Sequence, residues 1–397
     1  MKIMRVSVDN LSNELQTFYY SFSAIFDRFI RMSNSVPVPY RAGELKELPE
    51  IFSELRKLYR KYHIWPEDLK GPVSAAIDIT YRCNYNCPYC YVGCFSNATR
   101  RELSKEEIFD VIDELAKLDV LVLCLCGGEP TLRKDLFDII QYANGRGIDV
   151  NMVTNGSLIS DNFASKLAES GIAAVQVSLD GSKPEIMEKL RPKGSYDRAI
   201  NAIKNLTGYS IPTIVSFCST RLNISDFPNI VELGEKLGVL SIRTMYFVPE
   251  TYGHIKLIPT DDQYRKLITW ISEHSHEYST RIEFGDPTEH IIIGPYTSLI
   301  SLSISAEGYI LPTPYLSLAY GHVSDGIEKL WKEGLEYVWR TNPVLLSISS
   351  YLKTEKDFLR LKSLFMTRID SDYLNLLRLD EEDLFNLARK IKEVLSI

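Results

Sequence analysis

The chain has 397 residues, 45% of them hydrophobic and 24% charged, with seven cysteines and a formal net charge of −7. That composition is ordinary for a globular protein larger than a single small domain, and its acidic balance leaves no basic footprint for nucleic acid. The first residues lack the apolar core of a signal peptide and no window approaches the ~18 consecutive apolar residues of a membrane span, so the sequence predicts a cytoplasmic protein with neither nucleic acid nor membrane as a partner.

Residues 1–70 carry one convincing helical pattern, LPEIFSELRKLYRKY, with Ile51, Leu55, Leu58 and Tyr62 at helical spacing. From there short Val/Ile-rich runs alternate with amphipathic stretches, the signature of βαβ units and a parallel sheet. AAIDIT reads as the first strand and leads into a cysteine-rich loop; Ser104 and Glu107 then form a capping box that opens a helix to about Leu118. VLVLCLC is the next strand, apolar enough for burial on both faces. There follow the helix LRKDLFDIIQYA ending near Gly145, the strand IDVNMV, the helix DNFASKLAES closed by Gly171, and the strand AAVQVS. A helix from about Tyr196, the strand TIVSFC, the helix FPNIVELGEKLG and the strand LSIRTMYF continue the series, and TDDQYRKLITWISEH, capped by Thr260 and Gln263, ends it. Six strand–helix units are too few for the closed eight-unit barrel. The expected α/β fold is therefore a partial (β/α)6 barrel over residues 71–280, with ligands at the C-terminal ends of its strands. Residues 281–335, with SLISLSIS, GYILP and a short helix at Trp331, read as a small α+β extension, and residues 336–397 as a helical flank like the N-terminal one.

Four of the seven cysteines fall within TYRCNYNCPYCYVGC, and Cys83, Cys87 and Cys90 are spaced C-x3-C-x2-C. In a reducing compartment such thiols are metal ligands or redox groups rather than disulfides. Soft thiolates this close in sequence can converge on an iron–sulfur or a zinc centre. Structural zinc wants a fourth nearby ligand, for which Cys94 is the local candidate. Three thiolates on a four-iron cluster instead leave one iron open to another molecule. Further polar groups end later strands: Gly127, Gly128, Glu129 and Pro130 in CLCGGEPTL, Asn155 in VTNGS, Ser178 and Asp180 in VSLDGS, then Arg191 in KLRPKGSYDRAI. Glu129 offers an acceptor for an ammonium. Read blandly, Gly-Gly-Glu-Pro is a turn, Ser178 and Asp180 an Asx-type turn, and Arg191 a solvated surface cation. Cys124 and Cys126 alternate with leucines and read as small core residues, as does Cys218; His274 and His276 read as solvent-facing.

CNYNCPYC resembles the signature of the radical SAM superfamily. The resemblance implies a [4Fe-4S] cluster on Cys83, Cys87 and Cys90, with S-adenosyl-L-methionine (SAM) chelating the fourth iron through its amino and carboxylate groups. By the same resemblance Tyr89 contacts the adenine, Gly127, Gly128, Glu129 and Pro130 form the element that binds the methionine amino group, and Asn155 lies in a common family sequence. Ser178 and Asp180 match polar positions near the nucleoside, and Arg191 matches a basic residue pairing the methionine carboxylate. The segment from LSIS to the Trp331 helix is similar to the SPASM and twitch extensions, but Thr313 stands where a cysteine ligand is expected and no cysteine follows Cys218. It reads as a cluster-free relic that caps the open end of the barrel. The implied activity is reductive cleavage of SAM to a 5′-deoxyadenosyl radical that abstracts hydrogen, fed by a ferredoxin- or flavodoxin-type electron donor, in modification of a peptide or protein side chain. Maturation of a small molecule such as a tetrapyrrole or haem is the alternative substrate class, and a non-enzymatic iron–sulfur electron carrier or sensor the alternative of another kind.

Overall fold

A computed structural model describes residues 70–90, 100–285, 301–352, 356–365 and 373–396. The helical pattern at Ile51 to Tyr62 and Cys94 lie outside these residues. The alternating runs form β1 (Ser74–Asp78), β2 (Val122–Cys126), β3 (Asp149–Thr154), β4 (Ala174–Ser178), β5 (Thr213–Cys218) and β6 (Ser241–Met245). Between and after them lie the helices α1 (Lys105–Lys117), α2 (Leu136–Gly145), α3 (Asp161–Ser170), α4 (Ser195–Gly208), α5 (Phe227–Leu237) and α6 (Asp261–His274).

The helix starts are set as the sequence predicts. Ser104 and Glu107 cap α1 reciprocally, Thr260 and Gln263 do the same for α6, and Gly171 closes α3 at φ 79°, where a Cβ would be strained.

A seventh parallel strand, β7 (Arg281–Gly285), follows α6 and pairs with β6. In the expected α+β extension β8 (Ser301–Ile304) and β9 (Ile310–Leu311) form a hairpin, but β8 also joins the main sheet in parallel against β1, Ala76 opposite Ser303. The sheet thus runs β7-β6-β5-β4-β3-β2-β1-β8-β9. Beyond it lie α7 (Ile327–Glu333), α8 (Pro343–Tyr351), α9 (Asp357–Phe365) and α10 (Glu381–Leu395). Among the described residues no helix is long and apolar enough to cross a membrane.

The sheet has two unlike faces. Ile77, Leu123, Leu125, Val150, Met152, Val175, Val177 and Val215 are essentially inaccessible and join Ile108, Ile112, Leu115, Ile139, Leu167 and Ile203 of the helices in one core. Each such side chain contributes roughly 1.5–3 kcal/mol by leaving water. The opposite, inner face carries Asp78, Cys124, Cys126, Asn151, Gln176, Ser178 and Ser216, all half-buried. This corrects the reading of Cys124 and Cys126 as core residues: the leucines between them face the helices, and the thiols face inward with Sγ atoms 3.4 Å apart. His274 is likewise half-buried, stacked on Trp270 at 5.1 Å, while His276 is exposed. Thr313, at the position where a ligand cysteine is expected, is buried and accepts from the Tyr315 N–H at 3.3 Å.

Candidate functional site

The C-terminal ends of β1 to β5 and the loops that follow them gather around the cysteine loop. Residues 80–82 are held from two sides. Glu102 accepts from Thr80 Oγ1 at 2.8 Å and from the Tyr81 N–H at 2.7 Å, and Arg133, itself paired with Asp135, donates to the Ile79 carbonyl at 2.5 Å. The two glycines after β2 lie against the same segment, the Gly128 N–H donating to Thr80 O at 2.7 Å and the Glu129 N–H to Arg82 O at 2.8 Å. A Cβ on Gly128 would stand 2.2 Å from Arg82 O, and one on Gly127, whose φ is 121°, 2.4 Å from Thr80 O. The close approach that glycine allows is therefore to the chain's own cysteine loop. Because the obstacle is backbone, Gly128→Ala is expected to lower stability by about 1–3 kcal/mol; urea denaturation of wild type and variant checks this.

Asn155, at the end of β3, donates through Nδ2 to Asn84 Oδ1 at 2.9 Å, and Asn84 Nδ2 donates to Ser157 Oγ at 2.8 Å, so the loop after β3 grips the cysteine loop between its first two thiols. Arg198 of α4 holds it from below, Nε donating to Tyr85 Oη at 3.0 Å. Cys83 and Cys90 both lie within electrostatic reach of Cys87, whose thiol burial pushes up to about 11 against the opposing pull of Arg191. Among the described residues no three Cys, His, Asp or Glu side chains are gathered tightly enough for a single metal ion.

Two carboxylates are engaged by the protein itself. Glu129 is fully buried, Oε1 accepts from Thr131 N–H and Oγ1 and from Thr154 Oγ1, and Oε2 accepts from the Asn155 N–H at 2.7 Å. It ties the end of β2 to the end of β3, with Pro130 opening the short turn that presents Thr131. Burial raises its pKa while these donors pull it back. Asp180 is also fully buried and accepts from Arg191 Nε, from Tyr89 Oη and from the Cys218 N–H. Arg191 is thus no surface cation. It is 10% exposed, reaches to 3.8 Å from Cys87 Sγ and lies 5.8 Å from the centre of the Tyr89 ring. Tyr89 is buried with Leu190, Phe247, Leu257 and Ile258, against which Cys87 and Cys218 also pack. Ser178 faces the inner side opposite Ser216.

Sequence reasoning missed a contribution from the C-terminal flank. Lys362 of α9 pairs with Glu250, beyond β6, and both are nearly buried; Cys90 and His254 are close enough to enter this electrostatic group. With a separation of 112 residues, no local pattern signals the pair. Lys362→Met leaves Glu250 enclosed without its counter-ion, at an expected cost of about 3–5 kcal/mol at neutral pH. Burial raises the Glu250 pKa. A raised carboxyl is favoured below its folded pKa, so the deficit in urea denaturation should shrink as the pH is lowered and the group protonates.

Residues 77–234 match the family model described as the radical SAM superfamily. The mycofactocin maturase MftC of Mycolicibacterium smegmatis is 31% identical over 248 residues, 61% of this chain and 62% of the maturase. The Fe-coproporphyrin III synthase of Methanosarcina barkeri is 32% identical over 256 residues, 62% of this chain and 63% of the synthase. The chain therefore spans rather less than two thirds of the length of these curated relatives. In fold it is similar to Streptococcus suis SuiB bound to S-adenosylmethionine, with a TM-score of 0.56 at 16% identity over 93% of both chains.

Proposed function

We propose that this chain, which carries a radical SAM domain at residues 77–234, is an enzyme that binds a [4Fe-4S] cluster through Cys83, Cys87 and Cys90 and cleaves SAM reductively to modify a peptide or protein side chain. The observation that carries the reading is the arrangement of three thiols on one loop, braced by the ends of the neighbouring strands. When bound, the cluster and SAM supply one-electron cleavage of a carbon–sulfur bond and abstraction of a substrate hydrogen atom. The chain's own residues bind, orient and shield. Arg191, with Asp180 behind it, stands beside Cys87 as the cationic group for a carboxylate. Tyr89 keeps its ring among Phe247, Leu257 and Ile258, giving an apolar wall next to the thiols. Gly127, Gly128, Glu129, Pro130 and Asn155 hold the backbone on which the methionine end of SAM would rest, and Ser178 offers its hydroxyl on the inner face.

A peptide substrate is supported by the similarity to a peptide maturase and by an inner face lined with amide, hydroxyl and carboxylate groups. The similarity to a porphyrin synthase favours tetrapyrrole chemistry as the second reading. We assign the enzyme to the cytoplasm, with a ferredoxin- or flavodoxin-type electron donor. Anaerobically reconstituted protein given SAM and dithionite is expected to form 5′-deoxyadenosine and methionine. SAM recovered intact from protein that holds a full cluster overturns the reading.

A further inference from the structure

Asp78 ends β1 on the inner face, opposite Cys126, and Cys126 in turn shares that face with Cys124. Its backbone neighbours point the other way, Ile77 into the helical core. The side chain is half-buried on that face, and among the described residues its carboxylate has no hydrogen bond and no ion pair. The groups within electrostatic reach of it are Cys90, Cys124, Cys126, Tyr81 and Tyr373, each neutral or capable of negative charge, and none of them a cation. Glu129, Asp180 and Glu250, the buried or nearly buried carboxylates at this end of the barrel, all have protein donors. A carboxylate partly withdrawn from water on the wall of a concavity, with no protein donor of its own, is favoured by a bound group that brings positive charge or a donor. On the same face Arg243 of β6 pairs with Glu283, and its charge reaches across to Cys124 without acting on Asp78.

We propose that Asp78 is the acceptor for a cationic group of the substrate, an ammonium or guanidinium carried into the barrel by a peptide side chain or N-terminus. The proposal rests on the peptide reading above and narrows it to substrates with a basic group near the reacting carbon. The position suits such a role, because the strand end faces the cysteine loop, where Cys90 acts on the Asp78 charge, and the flanking inner-face residues Cys124 and Asn151 are small or polar enough to leave room.

Cys124 and Cys126 are built-in reporters. In reconstituted enzyme, where Cys83, Cys87 and Cys90 are held by the cluster, the two thiols are modified with methanethiosulfonates of matched size bearing either a trimethylammonium or a sulfonate. Rates are mapped by mass spectrometry of peptides and normalised to those of free 2-mercaptoethanol. The wild type is expected to favour the cationic reagent by about tenfold or more, as a negatively lined concavity concentrates cations. Asp78→Asn should lose most of that preference and Asp78→Glu keep it. N-acetyl-lysine amide should slow modification by neutral methyl methanethiosulfonate, and do so more than N-acetyl-norleucine amide, in the wild type and not in Asp78→Asn. Equal normalised rates in the wild type, a preference unchanged in Asp78→Asn, or equal effects of the two amides overturns the proposal. So does a tenfold loss of SAM affinity in Asp78→Asn, which would mean that the carboxylate serves the sulfonium instead. None of the thiol measurements requires SAM cleavage, so their outcome is independent of the radical reading.

Discussion

Cys87→Ala is expected to abolish 5′-deoxyadenosine formation, by at least about a hundredfold, and to remove the iron–sulfur absorbance of reconstituted protein. The reason lies in the number of donors. Cys83, Cys87 and Cys90 are the three thiols of the loop between β1 and α1 whose positions are described, and Cys87 interacts with both of the others. With two thiolates left, a cluster that relies on three protein ligands has lost its anchoring. Stability should change little, because Cys87 is half-buried, packs against the edge of the small Tyr89 cluster and meets Arg191 only at 3.8 Å. Iron content and urea denaturation therefore separate loss of the cluster from loss of the fold. A variant that retains its iron and its product would remove Cys87 from the ligand set.

Asp180→Asn is expected to cost about 3–5 kcal/mol of folding stability, although the side chain keeps its shape. Asp180 is fully buried, and Arg191, 10% exposed, is held to it as an ion pair. Burial works against the Arg191 charge, and Asp180 is foremost among the groups that restore it and carry its pKa well above the ordinary value. Asparagine leaves that cation enclosed and opposes it with an amide. Urea denaturation gives the cost directly. The double variant Asp180→Asn/Arg191→Met should recover much of the loss, since no unpaired charge then remains. Neither change is expected to spare SAM binding, because both alter the wall beside Cys87.

Much of the barrel was legible because its signals are local. Two capping boxes, at Ser104 and Thr260, and one left-handed glycine, Gly171, mark helix ends through contacts within a few residues. The strands are short alternating runs between them, and chain order alone then gives a parallel sheet read from β1 to β6. The misreadings share a different cause. Alternation separates two faces of a strand without saying which one the helices cover, so Cys124 and Cys126 were assigned to the core that Leu123 and Leu125 occupy. The pairing of β8 with β1 brings together residues more than two hundred positions apart, and the Lys362–Glu250 pair joins segments that no periodicity connects.

The candidate site divides along the same line. The three cysteines, the glycines and Asn155 are visible as residue types at strand ends. What Glu129 and Asp180 do depends on donors contributed by other elements: Thr154 and Asn155 from β3 and its loop for one, Arg191, Tyr89 and the Cys218 backbone for the other. A carboxylate in a sequence looks available. Only the packed structure shows that these two are already engaged and that Asp78 is not.

The proposed function requires an iron that the polypeptide would leave open for SAM. Electron–nuclear double resonance on the reduced, anaerobically reconstituted protein with SAM labelled by nitrogen-15 at the amino group and oxygen-17 at the carboxylate tests it directly. Hyperfine coupling to both labels, present in the wild type and absent when unlabelled SAM is used, is the predicted result. Bound SAM with no coupling to either label, or a cluster whose four irons all have protein ligands, contradicts it.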